Sequence, residues 1–161
     1  MTDYHINAAQ PILTEQDAFF LSAGYGHGAV LIRVNRDGAR FSAVAVWQNK
    51  KMKNKFNSSV LHDNYIYGLD EAILACVNAA TGEQAWKGGR YGYGQVILAG
   101  SHLIVLTEQG ELVLVKADPA SHQEVARFEA ISGKTWNIPA LAGGVLLVRN
   151  TTEMAAFRAA P

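Results

Sequence analysis

A single cysteine, Cys76, is all that the chain contains, and it sits in an apolar run. That excludes a disulfide framework and a cysteine-built zinc site, and it leaves a buried structural thiol as the reading. Charge of one sign is also lacking, since fourteen basic side chains balance fourteen acidic ones. With no net field, neither nucleic acid nor an anionic membrane is expected as a partner. No apolar run approaches the roughly 20 residues that a membrane helix needs. The opening residues, MTDYHINAAQ, have neither a basic start nor an apolar stretch, so no export signal is read in this chain and its compartment stays open. His5, His27, His62, His102 and His122 stand singly, none paired at metal-ligand spacing. Helical periodicity is almost absent.

What is present is a strand pattern. With 161 residues, 49% of them hydrophobic and 17% charged, the chain is long and apolar enough for one domain with a sizeable core. Short β-type runs alternate with Gly, Asp or Asn turns. Residues 18–22 and 29–34, 64–68 and 72–77, 102–106 and 111–115, and 145–149 and 154–157 form four hairpins of one design. A shorter strand precedes each hairpin, and its register leucine falls at Leu13, Leu61, Leu98 and Leu141, at spacings of 48, 37 and 43 residues. A period near 40 with four strands per unit predicts an all-β propeller of four-stranded antiparallel blades. The blades are expected at about 9–48, 56–88, 93–129 and 136–161, a single half-propeller domain of about four blades. The last lacks its outer strand in sequence, and residues 1–8 are a possible closing strand.

The stretch NAATGEQAWKG, residues 78–88, reads as architecture. Thr81-Gly82 is a turn with glycine free to take positive φ, and Trp86 lies on the following strand, where an indole lodges between blades. Gly82, Trp86 and Trp47 are therefore the expected docking residues. The longer segment ACVNAATGEQAW resembles the tryptophan-docking repeat of quinoprotein (PQQ-like) β-propellers, with Cys76 where that family prefers Ala and Asn78 where it prefers Asp. FFLSAGYGHGA, VWQNKKMKNKFNSSVL, YIYGLDEAILACVNAATGE and GELVLVKA are similar to propellers of the bacterial outer-membrane assembly lipoprotein type. The likeness covers nearly the whole chain and corresponds to the C-terminal half of such a protein. Intact members generally carry seven or eight blades and are mostly periplasmic or secreted.

The resemblance implies a noncatalytic binding or scaffold module with no catalytic residues, no metal and no cofactor. Its alternative is a fragment of a PQQ-dependent alcohol or sugar dehydrogenase, which would hold PQQ with calcium. No adjacent cysteine pair and no evident carboxylate set accompany that alternative here. The glycine-rich GYGHG (24–28) and GGRYGYG (88–94) lack the following helix that a phosphate loop requires, so both read as turns.

Five residues before three of the register leucines stand Phe56, Tyr93 and Trp136, with Ala8 in the first blade. Asn57 and Asn137 follow by one residue, and Gln95 by two. In a propeller these positions lie where each connection meets the innermost strand, at one axial face. Aromatic rings flanked by amides suit a protein or carbohydrate ligand through stacking and hydrogen bonds, or else serve as plugs between blades. Lys50, Lys51, Lys53 and Lys55 make the one basic run, either a solvated loop or a patch for an acidic partner. A stack of about four blades leaves its first and last faces open, so self-association into a homodimer that completes a ring is expected.

Overall fold

The computed structural model describes residues 6–158, and among them it forms fifteen strands and no helix. Three sheets have four strands and one has three. Blade one is β1 (Ile12–Glu15), β2 (Ala18–Ala23), β3 (Gly28–Asp37) and β4 (Arg40–Asn49). Blade two is β5 (Val60–His62), β6 (Tyr65–Asp70), β7 (Ile73–Asn78) and β8 (Gln84–Arg90). Blade three is β9 (Gln95–Ala99), β10 (His102–Leu106), β11 (Glu111–Lys116) and β12 (Glu124–Glu129), and blade four is β13 (Ala140–Ala142), β14 (Val145–Arg149) and β15 (Met154–Arg158). Every sheet is a simple antiparallel meander in chain order, and the whole is a half-propeller. Residues 1–5 of the possible closing strand lie outside the described residues, and residues 6–8 form no strand.

Blades stack face to face because alternate residues on each strand point to opposite sides. The row Ile12, Phe20, Leu31 of blade one meets Ile66, Ala75 and Val77 of blade two, with Met52 closing the layer. The other face of blade two, Tyr67, Leu69, Leu74 and Cys76, meets Val96, Leu103, Val105, Val113 and Val115 of blade three. Leu106 and Leu112 then meet Leu146 and Val148 of blade four, together with Ile131. The middle blades are covered on both sides, which is why β6 and β7 read as unbroken apolar runs rather than alternating ones. Cys76 is fully buried, and burial pushes its thiol up to about 11, so it stays protonated at neutral pH.

The outer strands fasten each blade to the next. Trp47 Nε1 donates to the Ala79 carbonyl of blade two at 2.9 Å, and Trp86 Nε1 donates to the Asp118 carbonyl of blade three at 2.8 Å. Gly82 takes φ +73, and a Cβ there would lie 2.6 Å from the Trp47 ring. The turn needs glycine both for its backbone and for the neighbouring indole. Asn78 holds the same turn, its Oδ1 accepting from the amides of Ala80 at 2.9 Å and Thr81 at 3.1 Å. Phe128 takes the tryptophan place in blade three and packs on Phe157 at 5.3 Å between ring centres, without a hydrogen bond to add.

One strand pair departs from the apolar runs. β3 and β4 each span ten residues, through the polar stretch Asn35 to Asp37, so this hairpin extends beyond the others. Exposed Phe41 lies on it, with the Arg36 guanidinium 5.7 Å from the ring centre.

The connection from blade one to blade two is pinned from beneath. Asp70, only 4% exposed, binds Lys53 Nζ at 2.7 Å and the Lys53 amide at 2.9 Å, and it also pairs with Lys87. Buried Asn54 donates to the Leu69 carbonyl and accepts from Ser59 Oγ at 2.8 Å. Burial by itself raises the Asp70 carboxyl, but the bonds from Lys53 and Lys87 outweigh it and hold the group below its ordinary range.

Two outcomes follow from these contacts. Trp86→Ala removes a packed indole and its hydrogen bond, and it should lower unfolding free energy by about 3–5 kcal/mol in denaturant titration. Asp70→Asn should cost about 2 kcal/mol at neutral pH, because both lysines reach water once released. Since the folded carboxyl titrates lower than the unfolded one, its contribution is present above about pH 4 and fades as pH falls through the folded value. The difference between Asp70→Asn and the parent should therefore shrink on acidification, as read by thermal melts.

Candidate functional site: an aromatic arc at the axial face

The three segments that lead into β5, β9 and β13 converge at one end of the half-ring, and they bring their aromatic residues together. Phe56 and Trp136 lie 5.1 Å apart between ring centres, and Phe56 and Tyr93 lie 6.0 Å apart in an edge-on arrangement. Phe56 is 36% exposed and Trp136 38% exposed, so both residues are partly open to solvent. Register with the leucines located these three residues. What it could not show is which neighbours complete the group.

The amides play two parts. Gln95 is buried and its Nε2 donates to the Phe56 carbonyl at 3.2 Å and the Trp136 carbonyl at 2.9 Å. Asn57 is buried as well, donating from Nδ2 to the Gly94 carbonyl at 3.2 Å and accepting from Asn54 at 3.1 Å. Both amides are buried and bonded to the connections that they space. Asn137 is half-buried on the remaining connection.

Residues that the register did not single out finish the face. Glu108 accepts from the Trp136 indole at 2.9 Å through Oε1 and from the Tyr93 amide at 3.2 Å through Oε2, which fixes both rings. Lys55 Nζ stands 4.5 Å from the centre of the Tyr93 ring, 4.9 Å from Tyr25 and 5.6 Å from Phe56. Tyr25 comes from the β2–β3 turn at φ 56, so blade one joins the arc through GYGHG rather than through Ala8. A Cβ on Gly24 would sit 3.1 Å from the Lys55 stem, so glycine makes room for that lysine. Lys134 Nζ lies 3.5 Å from the centre of the Trp136 ring.

A second polar group lies at the rim between blades two and three. Tyr91 is buried, and its hydroxyl donates to Glu124 Oε2 at 3.1 Å beside His122 Nε2 at 2.8 Å. Burial first, and then the Glu124 charge, push the Tyr91 hydroxyl well above its ordinary value. It stays protonated and serves as a brace. Arg127 grips Glu124 and Glu111 alongside it, and its hydrogen bond holds the Glu124 carboxyl below the usual range. Among the described residues no three His, Cys, Asp or Glu side chains gather to hold a metal ion. None of the described residues forms a helix long and apolar enough to cross a membrane.

No family model matches the chain. No curated protein sequence matches it either. Solved structures do. BamB from Moraxella catarrhalis is similar over 92% of this chain and 41% of its own, with a TM-score of 0.67 at 12% identity. The computationally designed Ika4 protein is similar over 97% of this chain and 95% of its own, with a TM-score of 0.63 at 7% identity. The designed Ika8 protein is similar over 92% of this chain and 57% of its own, with a TM-score of 0.58 at 7% identity. The chain thus spans less than half of the BamB chain, and the likeness shows its fold, that of a β-propeller.

Proposed function

We propose that this chain is a noncatalytic propeller scaffold of the PQQ-like type, which pairs with a second copy to complete a ring and binds a protein partner on its axial face. The observation that carries the pairing is the state of its two end faces. Cross-strand registry places Leu13, Phe19 and Ile32 in one row of blade one, with Leu21 and Val30 in the next, on the side away from blade two. Leu13 is 54% exposed. On blade four the row Ala140, Leu147, Ala156 and the pair Arg149–Met154 face away from blade three. Leu147 is 42% exposed and Met154 70%.

Between consecutive blades the facing inner strands meet in apolar layers. Two open faces of the same character fit one another across a twofold axis, which would repeat the blade-to-blade packing at two further junctions. A groove of about 540 Å³, lined by Leu114, Phe128, Leu141 and Phe157, marks where blade four is one strand narrower than its neighbours. The similarity of a whole designed chain, Ika4, over nearly its full length supports a half-sized propeller chain as a unit of folding.

The noncatalytic reading is supported by the chemistry of the axial face. It offers rings and ammonium groups, and its carboxylate, Glu108, already has both oxygens bonded. Such a donor set suits a partner surface better than calcium and a quinone. Light scattering should return twice the 17.4 kDa chain mass at micromolar concentration. Leu147→Glu should return the single mass with its strand content intact by circular dichroism, and a single mass for the parent chain would overturn the pairing.

A further inference from the structure

The axial arc carries two ammonium groups, Lys55 and Lys134, beside the rings that also hold one carboxylate, Glu108. Lys53 is committed to Asp70, as is Lys87. Lys55 and Lys134 form no ion pair among the described residues; each rests on aromatic rings instead. Lys55 is half-buried, and one of its N–H groups reaches Tyr93 Oη at 3.4 Å. Its ring contacts satisfy one side of the ammonium, and its outward side needs water or an anion. Lys50 and Lys51, both exposed, add to the same sign on the adjoining connection. The nearby carboxylate, Glu108, is turned to the Trp136 indole and the Tyr93 amide.

From this geometry we infer that the axial face receives an extended acidic peptide, with carboxylates on Lys55 and Lys134 and an apolar side chain between them on Phe56 and Trp136. The ring pair separates the two ammonium groups, and an extended chain presents alternate side chains to one face about 7 Å apart. Rings whose backbones are fixed by Gln95 bind with little ordering cost, and that is the character of interface anchors. The two ammonium groups then select the partner and speed its approach. This inference rests on the scaffold reading for its face, but not on the pairing of two copies.

The test is fluorescence anisotropy on the full chain with labelled synthetic peptides of the repeat Glu-Ser-Leu-Ser, which sets glutamate and leucine in turn on one face of an extended chain, and of its Gln-Ser-Leu-Ser and Lys-Ser-Leu-Ser counterparts. The glutamate peptide should bind about tenfold or more tightly than the glutamine one, and added salt should erode the difference. Lys55→Gln and Lys134→Gln should each weaken the glutamate peptide several-fold, Lys55→Arg should restore it, and Lys116→Gln at the exposed end of β11 should change nothing. Equal affinity for the glutamine peptide, indifference to both lysine substitutions, or tighter retention of a heparin fragment would each overturn the inference. A dimer that ignores acidic peptides sinks this inference alone. A monomer that binds them sinks the pairing and leaves the acidic site standing.

Discussion

The structure depends on one repeated contact, an indole on an outer strand that donates to a backbone carbonyl in the next blade. Trp47 reaches the turn after β7, and Trp86 reaches the segment after β11. Each contact couples burial of a large ring to a hydrogen bond that would otherwise leave a polar nitrogen unpaired. A four-stranded meander has little core of its own, and its apolar faces become a core when the next blade covers them. The contact therefore sets the angle and distance at which faces meet. Phe128 preserves the packing half of this device between blades three and four, where the covered layer is also the smallest of the three.

The axial face is a consequence of that stacking. Phe56, Tyr93 and Trp136 belong to three different connections, and they meet because their blades are held in register around one axis. Gln95 then links two of those connections through their carbonyls, while Asn57 and Asn54 bind the first to the interior. Asp70 anchors the same connection from beneath through Lys53. A buried ion pair is weak evidence of net stability, but it is a way to fix a loop that carries the exposed rings of the arc. The lysines adjoining the rings differ sharply in consequence: Lys53 is spent inside the fold, and Lys55, two residues later, faces the arc.

Much of the fold was legible because it is local. Hairpins, turn glycines and the leucine period appear as spacing along the chain, and the propeller architecture follows from them. Gly82 was legible as a turn residue, although its second duty, clearing the Trp47 ring, involves a blade that sequence spacing does not reach. The same limit applies at the site. Phe56, Tyr93 and Trp136 share a register position and could be found together, whereas Tyr25, Lys134 and Glu108 come from turns with no repeat to mark them. The amides beside the rings were visible, but the direction of a side chain on an irregular connection has no period, so their burial was not. The length of β3 and β4 was hidden for a related reason: their outer halves are polar and solvent-facing, and apolar runs mark only what is buried.

The open ends and the axial arc are physically linked. Blade one contributes Tyr25 to the arc through its β2–β3 turn, and that turn belongs to the sheet whose far face is uncovered. A second copy packed on that face would clamp the sheet on both sides and stiffen the turn that presents Tyr25 to Lys55. In the proposed ring the arc would also occur twice, related by the twofold axis, so one extended partner crossing the centre would meet two sets of lysines. Two linked weak contacts bind far more tightly than either alone when the spacing allows both to form. In the proposed ring, closure would therefore do more than cover exposed leucines. It would be the step by which a modest half-site gains rigidity and valence together.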